Sequence, residues 1–170
     1  METKISHSKK VTLMPLEFVE GCMQFFRDER KASPNDINAM LVPQYVDYDY
    51  EEGTVTLKYE TREWEMNRVG ILHGGATTAM LDHATGCAIY AFVGHWCPSV
   101  DMDVRFINQA VMGDVLTCVG RVIHCGERFV TAEAVITNDK NGRLVATYMT
   151  TCANGAERAK GALDKGIAQK

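Results

Sequence analysis

At 170 residues with 46% hydrophobic content, the chain is long enough for one domain with a real core and too short for two ordinary ones. A net charge of −4 leaves no basic footprint, which argues against nucleic acid as a partner. Six cysteines without a Cys-x-x-Cys pair, and a polar N-terminus with no apolar run behind it, argue against a disulfide framework, a zinc or other metal site, and export. The most apolar stretch, residues 84–93, falls far below the roughly 18 residues of a membrane span, so a cytoplasmic protein with reduced thiols is expected.

From Pro15 to about Lys31, Leu16, Val19, Met23 and Phe26 recur at helical spacing, with Phe18, Cys22 and Phe25 widening the apolar face. Pro15 suits a first helical turn, and Ser33-Pro34-Asn35-Asp36 ends the run. Residues from about Met40 to Tyr59 read as two strands around the turn Glu51-Glu52-Gly53, with Val55, Leu57 and Tyr59 alternating with polar partners. A loop follows, and then a helix from about Gly74 to Phe92 that is rich in Ala, Gly, Thr and Cys, side chains small enough to let other backbones approach closely.

After Pro98 the period changes to two. Val100, Met102, Val104 and Phe106 alternate with Asp101, Asp103 and Arg105, and strand-like runs follow near 114–124, 128–138 and 143–152. Asn141-Gly142 is a strong hairpin signal between the last two. Short links with repeated reversals imply an antiparallel sheet, and one sheet curled around one long helix is the economical α+β packing. Residues 154–170 have little to bury and read as a loose tail or frayed helix.

The segment Asn67-Arg-Val-Gly-Ile-Leu-His73-Gly74-Gly75 with Asp82 beyond it holds the densest chemistry. Two glycines opening a helix leave backbone N–H groups at its positive end, where a carbonyl oxygen could gain negative charge. No Ser, Thr, Asp or Asn cap precedes them and His73 is a poor one, so those N–H groups lack an obvious acceptor. Asp82 supplies a carboxylate on the stripe Gly75, Thr78, Asp82, Gly86, Ile89, which offers no cation. His83 lies about 100° around the helix from Asp82, which argues against an Asp-His dyad. Each residue also has a plainer reading: Gly74-Gly75 as a tight turn, Asp82 as a structurally paired acid, Asn67 as a loop residue, Ser99 bonding local backbone. His7, His95 and His124 make no metal spacing, Cys87 and Cys118 read as small buried hydrophobes, and core packing is the safer reading for Met80, Met102 and Met112.

Asn67, five residues, His73-Gly74-Gly75, then Asp82 nine positions after the histidine resembles the motif of hotdog-fold acyl-CoA thioesterases of the PaaI-like branch. Ser99-Val100-Asp101-Met102, Gly113-Asp114, Gly126-Glu127-Arg128 and Asn141-Gly142-Arg143-Leu144-Val145-Ala146 extend the likeness over residues 40–152. The resemblance implies a hotdog domain at 40–152, an N-terminal helical extension at 1–39 and a C-terminal tail at 153–170. It implies hydrolysis of acyl-CoA to free acid and coenzyme A without a cofactor. By similarity Gly74 would donate to the thioester carbonyl, Asn67 would help bind it, Asp82 would activate water as general base or act as nucleophile, Ser99 would assist Asp82, and His73 would orient the loop. Gly75 and two basic residues, Arg128 and Arg143, stand as substrate-binding candidates, among wider phosphate candidates that include Arg105, Arg121 and Lys140. Two other classes compete: a non-catalytic acyl-CoA-binding hotdog protein, and a 3-hydroxyacyl thioester dehydratase, whose usual motifs the chain lacks.

Gly74 and Asp82 stand eight positions apart on one helix, about 12 Å at a rise of 1.5 Å per residue. One thioester cannot easily touch both, since hydrogen-bond reach is about 3 Å from each. Asp82 is therefore expected to serve the oxyanion hole of a second subunit, across a two-fold axis that generates two equivalent sites, in a dimer or a tetramer built from two dimers.

Overall fold

The computed structural model of the chain describes residues 14–32 and 36–155. Helix α1 (Leu16–Ala32) and a single turn α2 (Ile37–Met40) precede a hairpin of β1 (Gln44–Asp49) and β2 (Thr54–Glu60). The long helix α3 (Gly74–Val93) follows, and then β3 (Ser99–Phe106), β4 (Val115–Cys125), β5 (Phe129–Asn138) and β6 (Leu144–Ala153). All pairings are antiparallel in one six-stranded sheet of order β1-β2-β4-β5-β6-β3, so both edges are single open strands. The expected stop at Ser33-Pro34-Asn35, the tail beyond residue 155 and His7 lie outside the described residues.

Helix α3 is apolar on nearly every side, the pattern of a helix enclosed by its own domain. Met80, Leu81, Ala84, Cys87, Ala88, Ala91 and Phe92 are fully buried against the inward residues of the sheet, among them Val55, Leu57, Leu116, Cys118 and Ile136. The closest approach is at Gly120 on β4, where an added β-carbon would overlap the Ala84 carbonyl and lie 2.9 Å from the Thr85 nitrogen. Glycine there lets the helix backbone rest directly on the sheet. Gly94 ends α3 in the left-handed conformation, φ 93°, its N–H bonded to the Tyr90 carbonyl.

The N-terminal helix covers one flank of α3. Val19, Cys22, Met23 and Phe26 are buried, as their spacing predicts, and Phe25 stacks on Tyr90 with ring centroids 5.7 Å apart. Leu16 does not join them: it is 44% exposed. The two-strand reading from Met40 onward needs a correction as well, because Asp36 caps the short turn α2 through the Ala39 N–H at 2.8 Å and β1 begins only at Gln44.

Strand β3 departs most from the expectation of a simple alternating strand. Ser99 pairs with Cys152 but Asp101 pairs with Thr151, so Val100 is an extra residue bulged out of the ladder. Strict alternation would put Ser99 on the face of Asp101 and Asp103. The bulge moves it to the face of Met102, Val104 and Phe106, which pair with Thr150, Tyr148 and Ala146 on the helix side. This apolar row is left uncovered by its own chain: Val100, Met102 and Phe106 are 60, 47 and 57% exposed, and Met112 61%. The core reading of Met102 and Met112 is thereby overturned, whereas Met80, Cys87 and Cys118 are buried completely.

Candidate active site

The chain enters α3 through a tight loop. Asn67 accepts at its side-chain oxygen from the Val69 and Ile71 N–H groups at 3.0 and 3.3 Å, and its own N–H donates to the Ile71 carbonyl at 2.8 Å. With the amide oxygen so occupied, the Nδ2 donor is the end of Asn67 left for a ligand. The His73 N–H donates to the carbonyl of buried Glu65 at 2.8 Å, which ties the loop to the preceding turn. Burial pushes the Glu65 carboxyl above its ordinary value, and its Oε2 accepts from the Arg62 N–H.

His73 turns out to be the N-cap that its residue type argues against. Its backbone is extended, φ −67° and ψ 135°, and Nδ1 accepts from the Gly75 N–H at 2.9 Å. One of the two glycine N–H groups is therefore satisfied. The Gly74 N–H donates to no acceptor among the described residues. It opens on a groove of about 900 Å³ also lined by Asn67, Thr77, Phe106, Lys140 and Arg143. The Phe106 ring lies over Gly74, 3.1 Å from where a β-carbon would stand. Lys140 and Arg143 form no ion pair among the described residues, and they share the groove with one carboxylate, Asp114, whose Oδ2 accepts from the Val111 N–H and the Asn138 side-chain amide.

Asp82 lies in a different cavity, about 190 Å³ in volume, with Ser99, Trp96 and Cys152. Ser99 donates its hydroxyl to Asp82 Oδ1 at 2.8 Å, the contact that the bulge at Val100 makes possible. Tyr148, which no sequence motif singles out, donates to the same oxygen at 3.0 Å. Burial above all holds the Tyr148 hydroxyl well above its ordinary value; the Thr150 side chain lowers it in part and the negative charge of Asp82 raises it further, so it stays a proton donor. Oδ2 accepts no hydrogen bond among the described residues and is the oxygen left for water. The one available signal for Tyr148 was a tyrosine in the buried register of a strand, whose hydroxyl must find a partner.

Neighbouring His83 bonds neither Asp82 nor Ser99. Nδ1 lies 3.0 Å from the Tyr59 hydroxyl and Nε2 lies 3.3 Å from the Tyr45 hydroxyl. Burial depresses its pKa to about 4 despite the nearby Asp82 and Asp36 charges, so the ring is neutral. Ser99 and Asp82 thus come together, as do Asn67, Gly74 and Arg143, but the two groups do not meet within one chain. Arg128 lines neither cavity and stacks over the Phe129 ring at 5.9 Å. Arg105 is paired with Asp103, and Arg121 with Glu133 and Glu52.

A curled antiparallel sheet around a single long helix, with a glycine-opened N-terminus and an acid two turns further on, defines a hotdog-fold domain. Residues 69–145 match the family model described as Thioesterase superfamily. Human acyl-coenzyme A thioesterase 13 is 27% identical over 95 residues, which span 55% of this chain and 68% of the relative. Among solved structures, zebrafish thioesterase superfamily member 2 superposes with a TM-score of 0.71 at 25% identity, covering 78% of this chain and 98% of that one. The E. coli PaaI protein of the phenylacetic acid degradation operon shares the fold with a TM-score of 0.66 at 20% identity, over 79% of this chain and 94% of its own. No helix among the described residues is long and apolar enough to cross a membrane.

Proposed function

We propose that the protein hydrolyses acyl-CoA thioesters to free acid and coenzyme A, at sites assembled from two copies of the chain. The observation that carries this reading is the division of labour between the start of α3 and its middle. At its start an unengaged Gly74 N–H, the Asn67 amide donor and two unpaired cations suit a thioester carbonyl attached to a polyphosphorylated carrier. Two turns later the Asp82 carboxylate, held at Oδ1 by Ser99 and Tyr148, presents Oδ2 to water. About 12 Å of helix rise separates them, more than one thioester can bridge. The exposed apolar row of β3 gives a second copy a surface to cover, which supports pairing there. A dimer of dimers is compatible with the same contact.

In this mechanism Asp82 removes a proton from water as the oxygen attacks the thioester carbonyl carbon. The carbonyl oxygen takes on the negative charge and is stabilised by the partner copy's helix N-terminus. Collapse of the tetrahedral intermediate breaks the carbon–sulfur bond, and the leaving thiolate is protonated by the acid that Asp82 has become. Free thiol released from a panel of aryl-, short-, medium- and long-chain acyl-CoAs tests the reading. The expected outcome is turnover of at least one class, with kcat lowered by roughly 10² or more in Asp82→Asn. Wild-type-like turnover by that variant would remove Asp82 from the reaction. A single turnover in H₂¹⁸O separates general base from nucleophile, since label in Asp82 requires a mixed anhydride.

A further inference from the structure

His83 is the wall between two chambers. On one side lies the Asp82 cavity, and on the other a cavity of about 240 Å³ beneath α1 and α2, walled by Phe26, Pro43 and Tyr45; Asn38, His83 and Trp96 line both. We propose that the acyl group of a thioester held at Asp82 runs past His83 into this second chamber, which selects a compact acyl group bearing a hydrogen-bond donor, a hydroxyl or amide N–H, near its far end. The proposal rests on the thioesterase reading and assigns its acyl specificity to His83 and to the N-terminal segment.

The tautomer of His83 follows from its partners. The Tyr59 hydroxyl has one proton, which we assign to the Met80 carbonyl at 3.2 Å, so that its oxygen accepts from His83 at 3.0 Å and Nδ1 carries the ring proton. Nε2 is then an acceptor. It is the nitrogen on the chamber side, because its neighbour Tyr45 lines the chamber while Tyr59 is wholly buried and lines neither cavity. The Tyr45 hydroxyl reaches Nε2 only at 3.3 Å, long for a hydroxyl donor, so an arriving donor can compete for the lone pair.

The remaining polar groups agree. Asp36 adds a carboxylate to the far chamber and Asp82 one to the near chamber, and among the described residues no lysine or arginine lines either. A carboxylate-ended acyl group would meet like charge without a compensating cation. A purely aliphatic one would strip water from Nε2 and Asp36 and return nothing. Aromatic walls bound the size: Trp96 packs on Tyr90 at 4.5 Å and faces Phe26 at 6.1 Å. Phe26, Asp36, Asn38 and Ala39 all lie before the stretch matched by the family model, so one side of this chamber is built by the part of the chain outside it, and His83 and Trp96 close it from within.

Binding of non-hydrolysable S-alkyl-CoA thioethers of four, six and eight carbons, each plain, ω-hydroxylated or ω-carboxylated, tests the chamber independently of turnover. The wild type should bind its best hydroxylated thioether about tenfold tighter than the plain one, with the carboxylated one weakest. His83→Phe, which keeps a ring and removes the acceptor, should reduce the hydroxyl preference to within about twofold. Ala39→Trp, from the partly exposed face of α2, should weaken the six- and eight-carbon thioethers more than S-methyl-CoA, and it decides the matter if His83→Phe does not fold. Equal binding of plain and hydroxylated thioethers by the wild type, a preference that survives His83→Phe, or losses in Ala39→Trp that do not depend on length would each overturn the proposal. Hydroxyl-selective binding without hydrolysis of any acyl-CoA would instead overturn the thioesterase reading and leave the chamber standing.

Discussion

Tyr148 on β6 donates its hydroxyl proton to Asp82 Oδ1 at 3.0 Å, the same oxygen that Ser99 on neighbouring β3 engages at 2.8 Å. Two donors on one oxygen fix the carboxylate plane and leave Oδ2 as the proton acceptor. Tyr148→Phe removes one donor and keeps the ring, so kcat should fall by about tenfold while KM stays within about twofold, since positioning of the base is felt mainly in the transition state. Steady-state thiol release measures both. A rise in KM with unchanged kcat would mean that Tyr148 contacts substrate instead.

Gly120 on β4 is the point where α3 touches the sheet backbone to backbone. A β-carbon there would overlap the Ala84 carbonyl, and neither side can yield as a flexible side chain could. Gly120→Ala should cost about 2–4 kcal/mol, above the usual range for a single added methyl, through overpacking against a rigid helix. Urea unfolding checks it. A loss below about 0.5 kcal/mol would mean that the helix can shift outward freely.

The limits of sequence reading show in particular residues. Asn141-Gly142 announces the β5–β6 turn because Gly142, at φ 66°, needs a residue tolerant of that conformation, and α3 announces itself by apolar character on every side. Turn α2 escapes because four residues give no period to detect. Ser99 reaches Asp82 only through a bulge, and a bulge depends on how two strands pair, which alternation along one strand cannot reveal. His73 caps α3 through a ring nitrogen whose position depends on the loop held by Glu65, 8 residues earlier. Tyr148 belongs to the site through contact across 66 positions.

His83 makes stability depend on pH in a predictable window. Its folded pKa of about 4 lies below the ordinary 6.5, so the unfolded chain binds more protons between those values. The contribution is complete above about pH 6.5 and is lost as pH falls towards 4, at up to 1.36 kcal/mol per unit and about 3 kcal/mol in all. Other groups titrate in this range too, so the comparison is with His83→Phe. Urea unfolding of both proteins between pH 4.5 and 7 should give a steeper acid loss for the wild type. Parallel curves would mean that the imidazole is protonated in the folded state.

The separation of Gly74 from Asp82 gives the strongest test of shared sites. Gly74→Pro deletes the free N–H at the first helical position, where proline is otherwise tolerated, and its added carbons meet chiefly the Phe106 ring. Asp82→Ala deletes the base. Each variant alone should be inactive, because each symmetric pair lacks one half of both sites. On mixing and subunit exchange, a heterodimer holds one site with both defects and one with neither, so an equal mixture should recover about a quarter of wild-type activity. Recovery should follow the rate of subunit exchange and vanish when the subunits are crosslinked before mixing. Activity that stays at zero after exchange has been verified would require Asp82 and Gly74 to act within one chain, across about 12 Å of helix.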